Sequence, residues 1–436
     1  MEFISTRSDT KVSLHEAVFS GLAADGGLYQ PATHPCLERL FGAFNRRTPF
    51  LDIASETTQA LFEPHISRPD SIRITRSAFP FAPVVRSVDT KLHFLELYHG
   101  PTCAFKDFGA SFLASLMEEL AALDDKKTVI LVATSGDTGS AVARAFYRKR
   151  NLDVVLLYPS GRVSGLQEKQ FTTLGQNIHA LEVKGSFDDC QRMVKATFQD
   201  PGLKETFRLT SANSINCGRL LPQSFYYIFA ISQLADQDAQ VRMSVPSGNF
   251  GNLTAGVYAW RWGLKVRGFI AATNVNDIVP QYLSSGRFAP RSSVPTLSNA
   301  MDVGNPSNFE RLTTLFDNDH QKMNQLVQGE SVSDQQTLQA ISSVYERYGL
   351  LIDPHTAVAY AAAMRRSAAT GCTDDHIMVL STAHPAKFCE TVEKATGTTP
   401  TLPPSLAEAL GLPKRSTPIG NRPQELAEYL VSNICA

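Results

Sequence analysis

The run Thr128-Val-Ile-Leu-Val-Ala-Thr-Ser-Gly-Asp-Thr-Gly-Ser140 passes from an unbroken apolar, β-branched stretch into a polar loop with two glycines. A strand without polar alternation is one buried on both faces, as in a parallel sheet. The amphipathic stretch 141–149 that follows predicts a helix. Outward from this unit the alternation repeats. Strands are predicted at 153–158 and 178–183, and helices begin at Ser164-Gly-Leu-Gln167, a capping box, and at Ser186-Phe-Asp-Asp189. A second series starts with a strand over 240–245, the loop Pro246-Ser-Gly-Asn-Phe-Gly-Asn252, a helix from Leu253 and a strand over 268–272. Helices at 333–348 and 354–370 lead to a last strand at 376–380. This rhythm predicts an α/β fold of open, mostly parallel sheets with helices on both faces, whose ligands sit at the carboxyl ends of the strands.

Three regions depart from the rhythm. Residues 1–90 read as an N-terminal unit, helical at 13–21 and 49–61, with a fixed turn at Gly21-Leu-Ala-Ala-Asp-Gly-Gly-Leu-Tyr-Gln-Pro31. Residues 91–395 form the α/β region, interrupted at about 284–332 by what reads as an insertion with a polar helical piece over 308–327. Residues 396–436 are Pro-rich and then helical, a C-terminal extension bracing the surface.

Composition narrows the function. The 436 residues are 43% apolar and 19% charged with a net charge of -1, so no basic excess invites nucleic acid. No apolar run approaches the ~18 residues of a membrane helix. The polar N-terminus, with an early acid, predicts neither a secretion signal nor a transit peptide. Seven cysteines without a Cys-x-x-Cys pair fit reduced thiols and a cytoplasmic setting better than disulfides or zinc.

Chemistry concentrates in the strand-to-helix loops. A strand over 92–97 delivers His99-Gly-Pro-Thr-Cys-Ala-Phe-Lys-Asp-Phe-Gly109, with Lys106 between Phe105 and Phe108. Such a lysine is either a solvated surface charge or an amine kept partly neutral by apolar neighbours, as bonding to a carbonyl cofactor requires. Gly248-Asn-Phe-Gly-Asn252 opens a helix, where backbone amides suit a phosphate; equally it is a tight turn. It matches neither the dinucleotide nor the ATP phosphate-loop pattern. Ser135-Gly-Asp-Thr-Gly139 offers hydroxyls and amides to a carboxylate, with Asp137 facing a ring hydroxyl or capping the helix. Ser211-Ala-Asn-Ser-Ile-Asn-Cys-Gly-Arg219 suits a second phosphate or is a polar capping loop. Ser381 and Thr382 put hydroxyls at a strand end, for capping or for a heterocyclic nitrogen.

Taken together, Phe105-Lys-Asp-Phe-Gly, Ser135-Gly-Asp-Thr-Gly, Ser247-Gly-Asn-Phe-Gly-Asn and Ser381-Thr-Ala-His-Pro-Ala-Lys-Phe resemble the threonine synthase family, in its longer bacterial and fungal branch. Asp25-Gly-Gly-Leu-Tyr-Gln-Pro, Ser211-Ala-Asn-Ser-Ile-Asn, Ala272-Thr-Asn-Val-Asn-Asp and Leu297-Ser-Asn-Ala-Met-Asp-Val fall in the same order over about residues 2 to 395. The resemblance implies the type II pyridoxal 5′-phosphate architecture, like the tryptophan synthase β subunit, with an N-terminal helical domain. Lys106 would bind the cofactor covalently, and Gly248, Asn249, Phe250, Gly251 and Asn252 would cradle its phosphate. Thr382 would meet the pyridine nitrogen, leaving it largely unprotonated, and Asp137 would stand beside the ring's 3′ oxygen, where relatives often carry Asn. The implied reaction turns O-phospho-L-homoserine and water into L-threonine and phosphate, with Lys106 moving the Cα proton. Ser135, Gly136, Asp137 and Thr138 would hold the substrate carboxylate, and Asn213, Ser214, Asn216, Arg219 and Arg162 its phosphate. Two alternatives stay open: a phospho-lyase of the same fold that releases 2-oxobutyrate, and an inactive cofactor-binding relative. The expected partner is the small substrate alone, with no nucleic acid or membrane, for a monomer or small homo-oligomer.

Overall fold

The computed structural model describes residues 1–121, 127–236, 239–370 and 375–434. Its strands, in chain order, are β1 (Phe3–Ser5), β2 (Tyr29–Pro31), β3 (Val84–Ser87), β4 (Leu92–Glu96), β5 (Thr128–Ala133), β6 (Leu152–Pro159) and β7 (Ile178–Val183). They continue with β8 (Arg208–Thr210), β9 (Val241–Pro246), β10 (Gly268–Thr273), β11 (Val327–Ser331), β12 (His376–Ser381) and β13 (Thr417–Ile419). A six-stranded sheet has the order β11-β10-β9-β12-β4-β3, and a five-stranded one the order β13-β7-β6-β5-β8. Every pairing in the two is parallel except β3 with β4. The central strands are buried along their whole length, as β4, β5 and β10 show. That is why they read as continuous apolar runs.

The N-terminal helix Phe50–Phe62 meets the helix Lys106–Ala121 through aromatic rings, and Phe79, which follows the helix Arg68–Ala78, joins them. Phe108 lies at the centre, 5.6 Å from Phe50, 5.0 Å from Phe81 and 5.4 Å from Tyr226 between ring centroids. Edge-on contacts of this kind add about 0.5–1.5 kcal/mol each beyond the area they bury. The helix therefore cannot turn about its axis without opening that cluster, and Lys106 in its first turn is held in direction.

Three boundaries differ from the sequence reading. The unit 1–90 runs into the α/β region, because β3 pairs with β4, Val84 opposite Glu96. An exposed edge strand after a Pro-rich crossing carries too little apolar pattern to be seen. The insertion at 284–332 ends early, because β11 forms the edge of the larger sheet beside β10. The single polar helix over 308–327 is two helices, Phe309–Thr314 and His320–Leu326. Asp317 and Asn318 adopt left-handed backbone between them, and the Asp319 side chain caps the second. The extension 396–436 also supplies a strand: β13 pairs with β7, Thr417 opposite Leu181.

Candidate active site

Five loops meet at the carboxyl ends of the two sheets. From the larger sheet come those after β4, β9 and β12; from the smaller, those after β5 and β8. They enclose a cavity of about 790 Å³, lined among others by Lys106, Ser135, Asp137, Thr138, Arg219 and Thr382. Asn213, Ser214 and Gly248, Asn249, Phe250, Gly251 and Asn252 line it too. A volume of that order suits a cofactor and a small substrate together.

Lys106 opens its helix rather than preceding it. The loop before it is stapled to the end of β12: the Phe105 amide donates to the Thr382 carbonyl at 2.8 Å, and the His384 amide to the Cys103 carbonyl at 3.0 Å. Asp107 closes the turn from within, accepting the Thr102 amide at 2.8 Å and its hydroxyl at 2.6 Å. Burial pushes the Asp107 carboxyl up to about 6, opposed by those two bonds. Of the two phenylalanines only Phe105 faces the amine, its ring centroid 4.9 Å from Nζ. Phe108 points into the core instead. Because an aromatic face attracts an ammonium, Phe105 does not discharge it. Burial lowers the Lys106 pKa, Lys387 and Arg219 lower it further, and Asp137 opposes them.

Asp137 lies 3.5 Å from Lys106 Nζ through one oxygen, and 2.7 Å from Lys387 Nζ through the other. Gln167 Nε2 also donates to it, at 2.9 Å. Although burial disfavours its charge, Lys387 and Lys106 hold its pKa well below the usual carboxylate range. Gln167 thus has two duties. Its backbone amide donates to the Ser164 hydroxyl, as the sequence predicts, but its Oε1 accepts that hydroxyl at 3.0 Å rather than the Ser164 amide, so the capping box is incomplete, and Nε2 reaches Asp137.

The Gly248 to Asn252 loop enters the helix Gly251–Arg261 through Phe250 in the left-handed conformation, with no side-chain cap. The first amides of that helix therefore have no side-chain acceptor from the cap position. Asn252 Oδ1 accepts the hydroxyls of Tyr226 and Tyr227, each at 2.7 Å, which turns its Nδ2 away from them. Asn249 ties the loop to its neighbours, donating to Ser214 Oγ and accepting the Ser307 amide at 2.6 Å. At Gly248 an added Cβ would come within 2.8 Å of the Met301 Cα, so the turn Asn299–Met301 lies directly on it.

Arg219 is buried and its Nη1 donates to the Ala212 carbonyl at 3.1 Å, while Nε has no protein partner. Burial lowers its pKa to about 10, with Asp107 opposing. Asn213 Oδ1 and Asn252 Nδ2 are likewise buried without partners. A reachable amine, an uncapped helix start and unpaired polar atoms in one cavity fit a phosphorylated aldehyde cofactor.

Three expected site residues lie elsewhere. Asn216 is fully buried and structural: its Nδ2 donates to the carbonyls of Val18 and Ser211, and its Oδ1 caps the Gly218 amide. Arg162 is exposed and outside the cavity wall. Gly136 stands behind the wall as the N-cap of the helix Asp137–Phe146. Conversely, Lys387, Gln167, Arg291, Asn305, Ser307 and His355 belong to the site or its immediate support and were not singled out. Lys387 lies in the stretch Ser381 to Phe388, but nothing local marks a lysine whose partner lies in another lobe. Among the described residues no cluster of His, Cys, Asp and Glu could hold a metal ion, and no helix is long and apolar enough to cross a membrane.

Comparison with known proteins points one way. Residues 80–383 match the family model of pyridoxal-phosphate dependent enzymes, residues 2–79 that of the threonine synthase N terminus, and residues 356–430 that of the threonine synthase C-terminal region. Threonine synthase of Haemophilus influenzae is 41% identical over 428 residues, 98% of each chain. The crystal structure of threonine synthase from Escherichia coli superposes with a TM-score of 0.89 at 41% identity, covering 99% of both chains. The pyridoxal-phosphate-bound threonine synthase from Brucella melitensis gives 0.92 at 34% identity, covering 99% of this chain and 98% of that one.

Proposed function

The chain belongs to the threonine synthase family, and from that premise we infer that it converts O-phospho-L-homoserine and water into L-threonine and phosphate, the last step of threonine biosynthesis. It is a fold-type-II enzyme dependent on pyridoxal 5′-phosphate. The observation that carries the reading at residue level is the meeting of Lys106, the 248–252 loop and Thr382 in one cavity with Arg219, whose Nε has no protein partner.

Bound there, pyridoxal phosphate supplies an aldehyde that bonds reversibly to an amine and a conjugated ring that accepts the electrons of a neighbouring carbanion. Lys106 Nζ would hold the aldehyde, and its amine, when free, would take the Cα proton and later return it. Gly248, Asn249, Phe250, Gly251 and Asn252 receive the cofactor phosphate at the helix start, where amides point outward. Thr382, on the cavity wall, would meet the ring nitrogen with a hydroxyl rather than a carboxylate. Ser135 and Thr138 hold the substrate carboxylate at the start of the helix Asp137–Phe146. Asn213, Ser214 and Arg219 hold the substrate phosphate and orient the Cγ–O bond, which breaks with loss of a Cβ proton before water adds its hydroxyl at Cβ and a proton reaches Cγ.

The test is direct. Purified protein should be yellow, and with phosphohomoserine it should release phosphate and threonine in equal amounts; 2-oxobutyrate in place of threonine would make it a lyase. Lys106→Ala should lose the visible absorbance and turnover together. A yellow, active Lys106→Ala protein would remove Lys106 from its role.

A further inference from the structure

Asp137 is one buried carboxylate facing two buried amines. The Lys387 side chain is wholly shielded from solvent, and Asp137 is 7% exposed. Lys387 sits in the short turn Pro385–Phe388 beyond β12 and makes two close contacts, to Asp137 Oδ1 at 2.7 Å and to the Thr102 carbonyl at 2.9 Å. Both oxygens accept hydrogens from its amino group. Lys106 makes one longer contact, 3.5 Å to Asp137 Oδ2, and is 17% exposed to the cavity. With both amines charged, the cluster would carry a net positive charge in a buried place, beside the further cation Arg219. Burying uncompensated charge is expensive, so one proton leaves. The amine with the weaker hold and the path to the cavity gives it up.

We propose that Lys387 is a positioning residue that takes up the charge of Asp137, so that the amine of Lys106 stays neutral and free to bond the cofactor aldehyde and to move protons. This rests on the reading that Lys106 carries the cofactor. Without Lys387, Asp137 would face Lys106 as its remaining ion-pair partner among the described residues and would hold it as an ammonium. The other titratable groups do not replace the pair. Arg219 acts on Lys106 with the same sign as Lys387. Asp107 is turned to Thr102. Cys103 and His384 lie close enough to Lys387 to feel its charge, but neither touches Asp137.

The experiment reads bond formation, not turnover. The full-length chain is freed of cofactor with hydroxylamine and mixed with pyridoxal phosphate over a pH series, and the visible absorbance is followed. In the step observed, the neutral amine attacks the aldehyde carbon, a carbon–nitrogen double bond replaces the carbon–oxygen one, and one water leaves. In Lys387→Gln the pH at which the rate is half-maximal should rise by one unit or more. Lys387→Arg, which keeps the charge, should hold the wild-type midpoint. The double variant Lys387→Gln with Asp137→Asn removes both charges and should bring the midpoint back. Should Lys387→Gln not fold, Asp137→Asn alone gives the opposite sign: the midpoint should fall, because Lys106 then faces an uncompensated cation. An unmoved midpoint in folded Lys387→Gln or in Asp137→Asn, a Lys387→Arg midpoint that rises as that of Lys387→Gln does, or a double variant that stays shifted, overturns the proposal. A wild-type chain that captures no cofactor overturns the cofactor reading itself, and this inference with it.

Discussion

At the scale of single residues, Arg219 is a buried cation on the cavity wall, and the proposed partner for it is the substrate phosphate. It is 4% exposed and spends one guanidinium hydrogen on the Ala212 carbonyl, yet Nε has no partner. Its lowered pKa, about 10, still leaves it charged at neutral pH. Gly109 makes the placement possible: an added Cβ there would come within 2.4 Å of the Arg219 carbonyl oxygen, so the lysine helix lies against the arginine's own backbone. A charge-assisted bond to a substrate phosphate is worth about 1.5–3 kcal/mol. Arg219→Ala should therefore raise the KM for phosphohomoserine by about 10-fold to 100-fold with cofactor content unchanged; steady-state kinetics beside an absorbance spectrum checks both, and an unchanged KM would take Arg219 out of the site. Lys106 and Arg219 were legible from residue type and loop position. Which neighbour tunes Lys106 was not: the flanking phenylalanines were adjacent in sequence, but helical geometry sends Phe108 into the core and leaves Phe105 over the amine.

At the scale of elements, the 248–252 loop works because another segment lies on it. An alanine at position 248 would bring its Cβ within 2.8 Å of Met301 Cα and 2.9 Å of the Ala300 carbonyl oxygen. The turn Asn299–Met301 cannot simply retreat, because the Ala300 amide donates to His355 Nε2 at 3.2 Å. His355 Nδ1 is in turn held by Asp353 at 2.7 Å. Gly248→Ala should weaken cofactor binding by about 10-fold or more, since overpacking against backbone costs about 1–3 kcal/mol. Equilibrium titration with pyridoxal phosphate reads it, and wild-type affinity would mean that the turn yields. The strand-to-helix loops were legible as elements because β5 and β10 are almost wholly apolar and β9 carries Val241, Met243 and Val245 in alternation. The turn over Gly248 was not, since its only local mark is the stretch Leu297 to Val303 in a region without periodicity.

At the scale of the whole molecule, the N-terminal unit and the site are joined by Arg311. This fully buried side chain gives Nε to the Tyr29 carbonyl at 2.9 Å and Nη1 to Asn308 Oδ1 at 2.7 Å, and its Nη2 reaches the Ile215 carbonyl. One guanidinium thus fastens β2, the 211–219 loop and the 305–311 segment together. The fixed turn Gly21 to Pro31 contains Tyr29 and so takes part in this fastening. Beside it Leu22, Gly26 and Leu28 line a second cavity of about 620 Å³ that shares Ile215, Asn305 and Ser307 with the first. Arg311→Met strands several buried carbonyls at about 1–3 kcal/mol each. It should lower unfolding free energy by about 3 kcal/mol or more and raise the substrate KM, because Ser214 sits on the loosened loop. Urea unfolding with parallel kinetics tests both, and wild-type values in each would remove the fastening role.

The amino-acid order alone determined the alternation of strand and helix, the loops that carry chemistry, and the family likeness. Those depend on local periodicity and on residues close together along the chain. Edge strands β3, β11 and β13, the structural duty of Asn216, and the Lys106–Asp137–Lys387 cluster were decided only by tertiary structure. A short exposed strand has no apolar pattern of its own and forms because a sheet edge offers it hydrogen bonds. A buried ion pair between positions 137 and 387 exists because two lobes bring them within 2.7 Å, a distance that no spacing along the chain encodes.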